Sequence, residues 1–312
     1  MTRKEDLPAA EEILARVIES FGRRVVVESP TGERQDAELF GKRLAVVCGD
    51  RVRLRRAPGA DVLQVVEALP RNTTFSRTDS RGRLELLAAN LSLLIAIIAP
   101  EPAPDPFILD RYLAGAAYSG LQPAIVANKC DLLARKDVLP SALAEYRAAG
   151  YPVLEVSTTT GDGKEALEAL LRGHTAIFTG QSGVGKSSLT NLLLGGSSRS
   201  IGNLSSSTGE GRHTTVSTAL FRLPGGGEII DCPGVRDYAP APVSDAMVQH
   251  GWPEIRALAT ECRFNNCLHL REPGCAVINA VESEVMSARR YESYKRLVNS
   301  MRQLLPSYER PR

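Results

Sequence analysis

The 312-residue sequence is short of several things, and each shortage excludes a class of protein. It has no long hydrophobic run. The longest, Leu91 to Ala99, contains Ser92 and falls far short of the about 20 apolar residues of a membrane helix. Met1–Asp6 is charged and lacks the apolar core of a signal peptide, so neither membrane insertion nor export is expected and the cytoplasm is the implied compartment. Six cysteines are too few for a disulfide scaffold and suit reduced thiols. An excess of one charge is missing too: 38 basic and 36 acidic residues leave a net of +2, so overall basicity gives no argument for a nucleic-acid partner. Apolar residues are plentiful, at 43% against 24% charged. That balance excludes disorder, and the length allows two or three domains.

The near-neutral total hides an uneven distribution. Residues 84–240 carry 12 basic and 15 acidic side chains, whereas the stretch from Arg289 onward has seven basic against Glu292 and Glu309. A second concentration combines Arg51, Arg53, Arg55 and Arg56 with Arg71, Arg77, Arg81 and Arg83. Each cluster alone reads equally well as a solvated face. Two of them flanking an acidic centre favour a phosphate-rich partner.

Hydrophobic periodicity divides the chain into three. From Ala15 to Ala68, segments such as Arg24–Glu28, Ala37–Phe40, Val52–Leu54 and Leu63–Ala68 alternate with turns. About five short strands in so small a span predict a small barrel, the oligonucleotide-binding (OB) type first among them. From Leu84 the period changes. Near-continuous apolar strands (Leu93–Ala99, Ala124–Ala127, Val153–Val156, Ala176–Thr179) alternate with helical stretches (Phe107–Tyr118, Pro140–Ala149, Lys164–Leu171, Lys186–Leu193). This predicts a parallel sheet covered on both faces, with a hairpin of Phe221–Leu223 and Glu228–Asp231 appended. Beyond Pro240 the chain reads as helical, ending in one long helix from Val281 to Leu305. The expected architecture is therefore multidomain: a barrel over 1–72, an α/β domain over 73–240 and a helical domain over 241–312.

Gly180-Gln181-Ser182-Gly183-Val184-Gly185-Lys186-Ser187, followed by Ser188, is a complete G-x-x-x-x-G-K-S phosphate loop between a predicted strand and a predicted helix. Glycines allow backbone N–H groups to wrap phosphates, the helix N-terminus favours the anion, and Lys186 adds charge at the β/γ-phosphates. The Ser187 hydroxyl would ligate Mg²⁺. Asn128-Lys129-Cys130-Asp131 follows another buried strand. Its Asp131 carboxylate accepts from guanine N1–H and the 2-amino group, which adenine does not offer there, so GTP and GDP rather than ATP are the expected ligands. Asn128 would tie this loop to the phosphate loop, and the Lys129 stem would cover the base. Ser157 and Thr158 open a loop suited to donating backbone N–H to guanine O6. Asp231-Cys-Pro-Gly234 is a D-x-x-G motif, with Asp231 holding Mg²⁺ through water and Gly234 sensing the γ-phosphate. The polar segment carrying His213, Thr214 and Thr215 reads as a switch loop. Thr215, or else Thr214, would complete the Mg²⁺ shell. Val235 cannot orient water, which leaves His213 as candidate for that task or as an exposed loop histidine. The motif order starts with Asn128–Asp131 and ends with Asp231–Gly234, a circular permutation of the usual GTPase order.

Three cysteines and a histidine fall within fourteen residues, Cys262-x₄-Cys267-x-His269-x₅-Cys275. Three thiolates and an imidazole form a closed tetrahedral set of the kind that holds structural Zn²⁺; buried free cysteines are the alternative.

Together the permuted motifs, the N-terminal barrel and this cluster resemble the bacterial ribosome small-subunit-dependent GTPase A family over nearly the whole chain. Val216 departs from the resemblance, standing where a third threonine is common. The resemblance implies a GTP hydrolase stimulated by the 30S ribosomal subunit that assists its late maturation, with 16S rRNA as partner and neither DNA nor membrane. It also implies release after hydrolysis, and a monomer is expected. A GTP-gated RNA chaperone acting on another RNA, its hydrolysis incidental, is the rival.

Overall fold

Arg51-Val52-Arg53-Leu54-Arg55 alternates, and in the computed structural model Val52 and Leu54 point into a core while the arginines face outward. The structure describes residues 13–56, 62–78, 83–135, 138–195, 218–232 and 240–304. Five strands, β1 (Ile13–Phe21), β2 (Arg24–Glu28), β3 (Arg34–Leu39), β4 (Arg51–Arg56) and β5 (Leu63–Ala68), close in the order β1-β2-β3-β5-β4-β1. The β3–β5 pair is parallel and the other four are antiparallel, which fits the expected OB-type barrel. Val17, Val25, Val27, Leu39, Val52, Leu54 and Val65 fill its interior.

Strand β1 outruns the barrel. Ile13–Arg16 pair with β4, and then Glu19 and Ser20 pair with Ala219 and Thr218 of β12 (Thr218–Arg222). Barrel and central domain are therefore one hydrogen-bonded sheet. Charges reinforce the seam: Arg16 donates to Glu228 at 2.7 Å and to Thr175 at 3.2 Å, and Arg222 meets the buried Glu28. A hairpin that the sequence reading did not separate, β6 (Thr74–Thr78) with β7 (Leu84–Ala89), fills the angle beside this seam. Its Phe75 and Ala88 are fully buried with Ile18 and Cys48.

The central domain follows the expected α/β alternation: β8 (Leu93–Ile98), α1 (Pro106–Tyr118), β9 (Gln122–Asn128), α2 (Val138–Ala148), β10 (Val153–Val156), α3 (Lys164–Leu171), β11 (Thr175–Thr179), α4 (Lys186–Leu193), β12 and β13 (Glu228–Asp231). The strands lie in the order β10-β9-β8-β11-β13-β12, parallel except for the β12–β13 hairpin. One face packs on α1 and α2, the other on α3 and α4.

The C-terminal lobe comprises α5 (Asp245–Val248), a 3₁₀ turn (Gln249–Gly251), α6 (Pro253–Ala259), α7 (Ala276–Glu282) and α8 (Ala288–Leu304). The single helix expected over Val281–Leu305 is two. Glu284 takes φ 60°, and the N–H groups of Val285 and Met286 both fold back to the Ala280 carbonyl at 2.9 and 3.0 Å. Val285 is 77% exposed, and Met286 takes the buried place.

The basic clusters are also less free than the sequence suggests. Arg71 makes a two-point contact with the fully buried Asp50 at 2.6 and 2.8 Å, and Arg53 and Arg77 pair with Glu67 and Glu85. Arg290 is 1% exposed and joins Asp110 and Glu254, each at 2.6 Å; Arg289 reaches Asp110 and Glu145. The Tyr146 hydroxyl donates to Asp110 at 2.8 Å, and burial with that carboxylate beside it pushes the phenol well up. These arginines dock the C-terminal lobe on α1 and α2.

Candidate functional site

From β8 the chain builds outward through β9 and β10, then returns through β11 toward β13 on the other side. The strand order therefore reverses between β8 and β11, and a ligand crevice opens at their carboxyl ends. The phosphate-loop motif leaves β11 at this point, and Asn128 ends the neighbouring strand β9.

Two glycines of the loop are sterically required. Gly180 has φ 143° and a side-chain carbon there would lie 2.2 Å from the Ile97 carbonyl oxygen. Gly185 has φ 94° and would strike the Asn128 amide at 2.2 Å. Gly185 also precedes α4 without a side-chain cap, so no side chain competes for the first-turn N–H groups. Lys186 donates from Nζ to the carbonyls of Gly180 and Gln181, both at 2.7 Å, and so arches over the loop. Ser182, Gly183, Ser187 and Ser188 are exposed along it, and Val184 is buried beneath.

The base-side residues converge on the same loop. Asn128, fully buried, donates from Nδ2 to the Val184 carbonyl at 2.8 Å. Its Oδ1 is buried and has no partner among the described residues. Lys129, at φ 60°, stretches its stem to the carbonyls of Gly183 and Glu101, each at 2.8 Å. The Glu101 carbonyl is a support that no motif announced. The Ser157 hydroxyl donates to Asp131 Oδ1 at 2.6 Å and accepts from the N–H groups of Thr159 and Thr160. The Ser157 N–H is itself spent on the Asp162 carbonyl, and the Ser157 side chain orients Asp131. Asp231 closes β13 directly beside β11. His213, Thr214, Thr215 and Gly234 lie outside the described residues, so of the expected Mg²⁺ partners Ser187 and Asp231 are the ones described.

A second centre stands in the C-terminal lobe. The ligand atoms of Cys262, Cys267, His269 and Cys275 lie within 4.8 Å of one another. His269 Nδ1 is 3.5 Å from Cys262 Sγ and 3.4 Å from Cys275 Sγ, and those two sulfurs are 4.0 Å apart. A tetrahedron with zinc–ligand distances of about 2.3 Å to sulfur and about 2.0 Å to nitrogen has edges of roughly 3.8 and 3.5 Å, so these residues fit that cation. Burial pushes the Cys267 thiol up to about 12 and lowers the His269 imidazole. A cation bound there would favour the thiolate form, and a neutral imidazole is already the ligating form. Glu272 braces the loop by accepting from the N–H groups of Leu268, Leu270 and Arg271. Burial opposes its ionisation, yet those hydrogen bonds bring its carboxyl down to about 2. Neither Glu272 nor Gln249, whose Oε1 lies 2.7 Å from His269 Nε2, carried a signal in the sequence.

Comparison with known proteins agrees with this arrangement. The profile of the RsgA GTPase family matches residues 68–240. A Pseudomonas savastanoi protein named small ribosomal subunit biogenesis GTPase RsgA is 42% identical over 294 residues, covering 92% of this chain and 85% of its own. One of the same name from Azotobacter vinelandii is 42% identical over 91% of this chain and 84% of its own. Among solved structures, YjeQ from Thermotoga maritima superposes with a TM-score of 0.74 at 27% identity, covering 93% of this chain and 99% of that one. YloQ, described as a circularly permuted GTPase, gives 0.72 over 98% of this chain and all of that one, and at 22% identity it shows the fold alone.

Proposed function

Because the chain belongs to the RsgA GTPase family, we propose that this GTP-hydrolysing enzyme acts on the 30S ribosomal subunit, binding its 16S rRNA late in maturation and leaving after hydrolysis. The observation that carries the nucleotide half of this reading is the 2.8 Å bond from Asn128 to the Val184 carbonyl, which holds the base-reading loop against the phosphate loop. Asp131, oriented by Ser157, accepts from guanine, and the N–H of Thr158 meets O6. Lys186 and the loop N–H groups surround the phosphates. Mg²⁺ arriving with the nucleotide would be held by Ser187 and by Thr215 or Thr214, with Asp231 acting through water, and it neutralises charge that develops on the β- and γ-oxygens. Gly234 senses the γ-phosphate and His213 positions the attacking water. Zn²⁺ on Cys262, Cys267, His269 and Cys275 is structural, because four protein ligands leave no open position.

The ribosomal half is tested by turnover. GTP hydrolysis is expected to rise steeply with purified 30S subunits and to stay near its basal rate with 50S subunits or tRNA; equal stimulation by all three overturns the assignment. The base assignment has its own test. Asp131→Asn keeps an acceptor for Ser157 but replaces two charge-assisted bonds to guanine, each worth about 1.5–3 kcal/mol. GTP affinity is expected to fall roughly a hundredfold, read by competition against a fluorescent guanine nucleotide, with ATP discrimination reduced.

A further inference from the structure

The three-residue turn Gln249–Gly251 lies on the path by which the chain runs from the Asp231–Gly234 motif into the C-terminal lobe. It is pinned to the central domain at three points. The Tyr118 hydroxyl donates to the Val248 carbonyl at 3.0 Å, and the Tyr151 hydroxyl donates to the Gly251 carbonyl at 3.0 Å. Gly251 also lies so close to α1 that a side-chain carbon there would come 2.6 Å from that of Ala114. From this pinned turn the Gln249 side chain extends the other way, to the ring of His269.

The ring's two nitrogens have different neighbours. Nδ1 stands 3.4–3.5 Å from two cysteine sulfurs. Among the described residues, Nε2 has the Gln249 oxygen as its hydrogen-bond partner, at 2.7 Å. To ligate a cation, Nδ1 must carry no proton, so the single proton of the neutral ring sits on Nε2 and needs an acceptor. We propose that Gln249 is a positioning residue for the metal centre: it accepts the Nε2–H of His269, fixes the tautomer that turns Nδ1 toward the three thiols, and ties coordination to the turn clamped on α1. The proposal rests on the reading of the cluster as a zinc site. A partner of this kind aligns a ligand before the cation arrives and raises its basicity, and its loss typically costs 10–100-fold in metal affinity. It also couples two events through one side chain, since a cation that orders His269 holds Gln249, and with it the segment that leads from the nucleotide site.

The test uses the full chain, loaded with zinc and titrated against a chromophoric chelator. Gln249→Leu removes the acceptor, whereas Gln249→Glu retains an oxygen at the same reach. The leucine variant is expected to lose zinc at a chelator concentration 10–100-fold lower than the parent, and the glutamate variant to stay within a few-fold of it. Guanine-nucleotide affinity serves as control and is expected to be unchanged in both. A leucine variant whose chelator curve overlays the parent's overturns the proposal, as does a glutamate variant that weakens as much as the leucine one. If the parent itself takes up no zinc, the zinc reading fails first, an outcome visible before any variant is compared.

Discussion

Removal of zinc from the proposed Cys262, Cys267, His269 and Cys275 site is expected to unfold the C-terminal lobe and to leave the nucleotide domain folded, the largest effect expected in the molecule. Three of the lobe's four helices are short. Its α5, α6 and α7 helices have four, seven and seven residues, all well below the about 12 at which an isolated helix becomes even marginally stable. Two of the four ligands, Cys267 and Cys275, are themselves buried in the lobe's small core. Structural zinc contributes about 10–16 kcal/mol of apparent binding energy in small domains, and that energy is folding energy where no preformed site exists without it. Trp252 makes the change visible. It is the only tryptophan in the chain, is 1% exposed, and sits edge-on to Tyr294 at 5.4 Å in that core. Chelation, or Cys267→Ser, is expected to shift its emission to the red while guanine-nucleotide binding persists. An emission spectrum unchanged after complete metal removal rules the role out.

The second large effect is expected at Asp110. This carboxylate is 1% exposed and accepts from Arg289, Arg290 and Tyr146 at 2.6–2.8 Å. Asp110→Ala leaves the buried Arg290 with Glu254 as its remaining carboxylate, beside the Tyr151 hydroxyl, and leaves the Tyr146 hydroxyl with the longer contact to the Pro106 carbonyl at 3.5 Å. Breaking a buried pair from one side costs about 3–5 kcal/mol, because the remaining charge loses its compensation while still out of water. The cost falls on docking between α8 and α1. It is read as a lower denaturant midpoint for Trp252 emission than for nucleotide release. Arg53→Ala provides the contrast: its partner Glu67 is half exposed, and exposed pairs are worth roughly 0–1 kcal/mol. Comparable losses in the two variants would contradict this account of how the lobe is attached.

The nucleotide and metal residues were legible because their chemistry is local. A phosphate loop needs its glycines and lysine within eight positions, and a tetrahedral cation needs its ligands at spacings that a short loop can fold. The parallel strands were legible for a similar reason, since burial on both faces writes a continuous apolar run. What escaped depends on distant partners. The hairpin β6–β7 is two short strands whose Phe75 matters only because Ile18 and Cys48 lie opposite. Val285 fits a helical stripe in the sequence, and nothing local shows that Glu284 turns left-handed before it. The arginines at 71, 289 and 290 belong to clusters that read in the sequence as a solvated face or a phosphate-binding one, and neither reading foresees their partners Asp50, Asp110, Glu145 and Glu254. Gln249 is an unremarkable glutamine until the fold brings His269 to it.

The register of Glu19 and Ser20 against Ala219 and Thr218 has a geometric meaning for the partner. Backbone hydrogen bonds run strand to strand from the arginine-bearing β4 of the barrel to β9, which ends at Asn128. An RNA surface seated on the barrel, as proposed, would stand at an offset from the nucleotide crevice set by this sheet, and the molecule would act as a gauge. A surface whose two contact points stand at the wrong spacing cannot satisfy both ends, however well its sequence or charge suits either one.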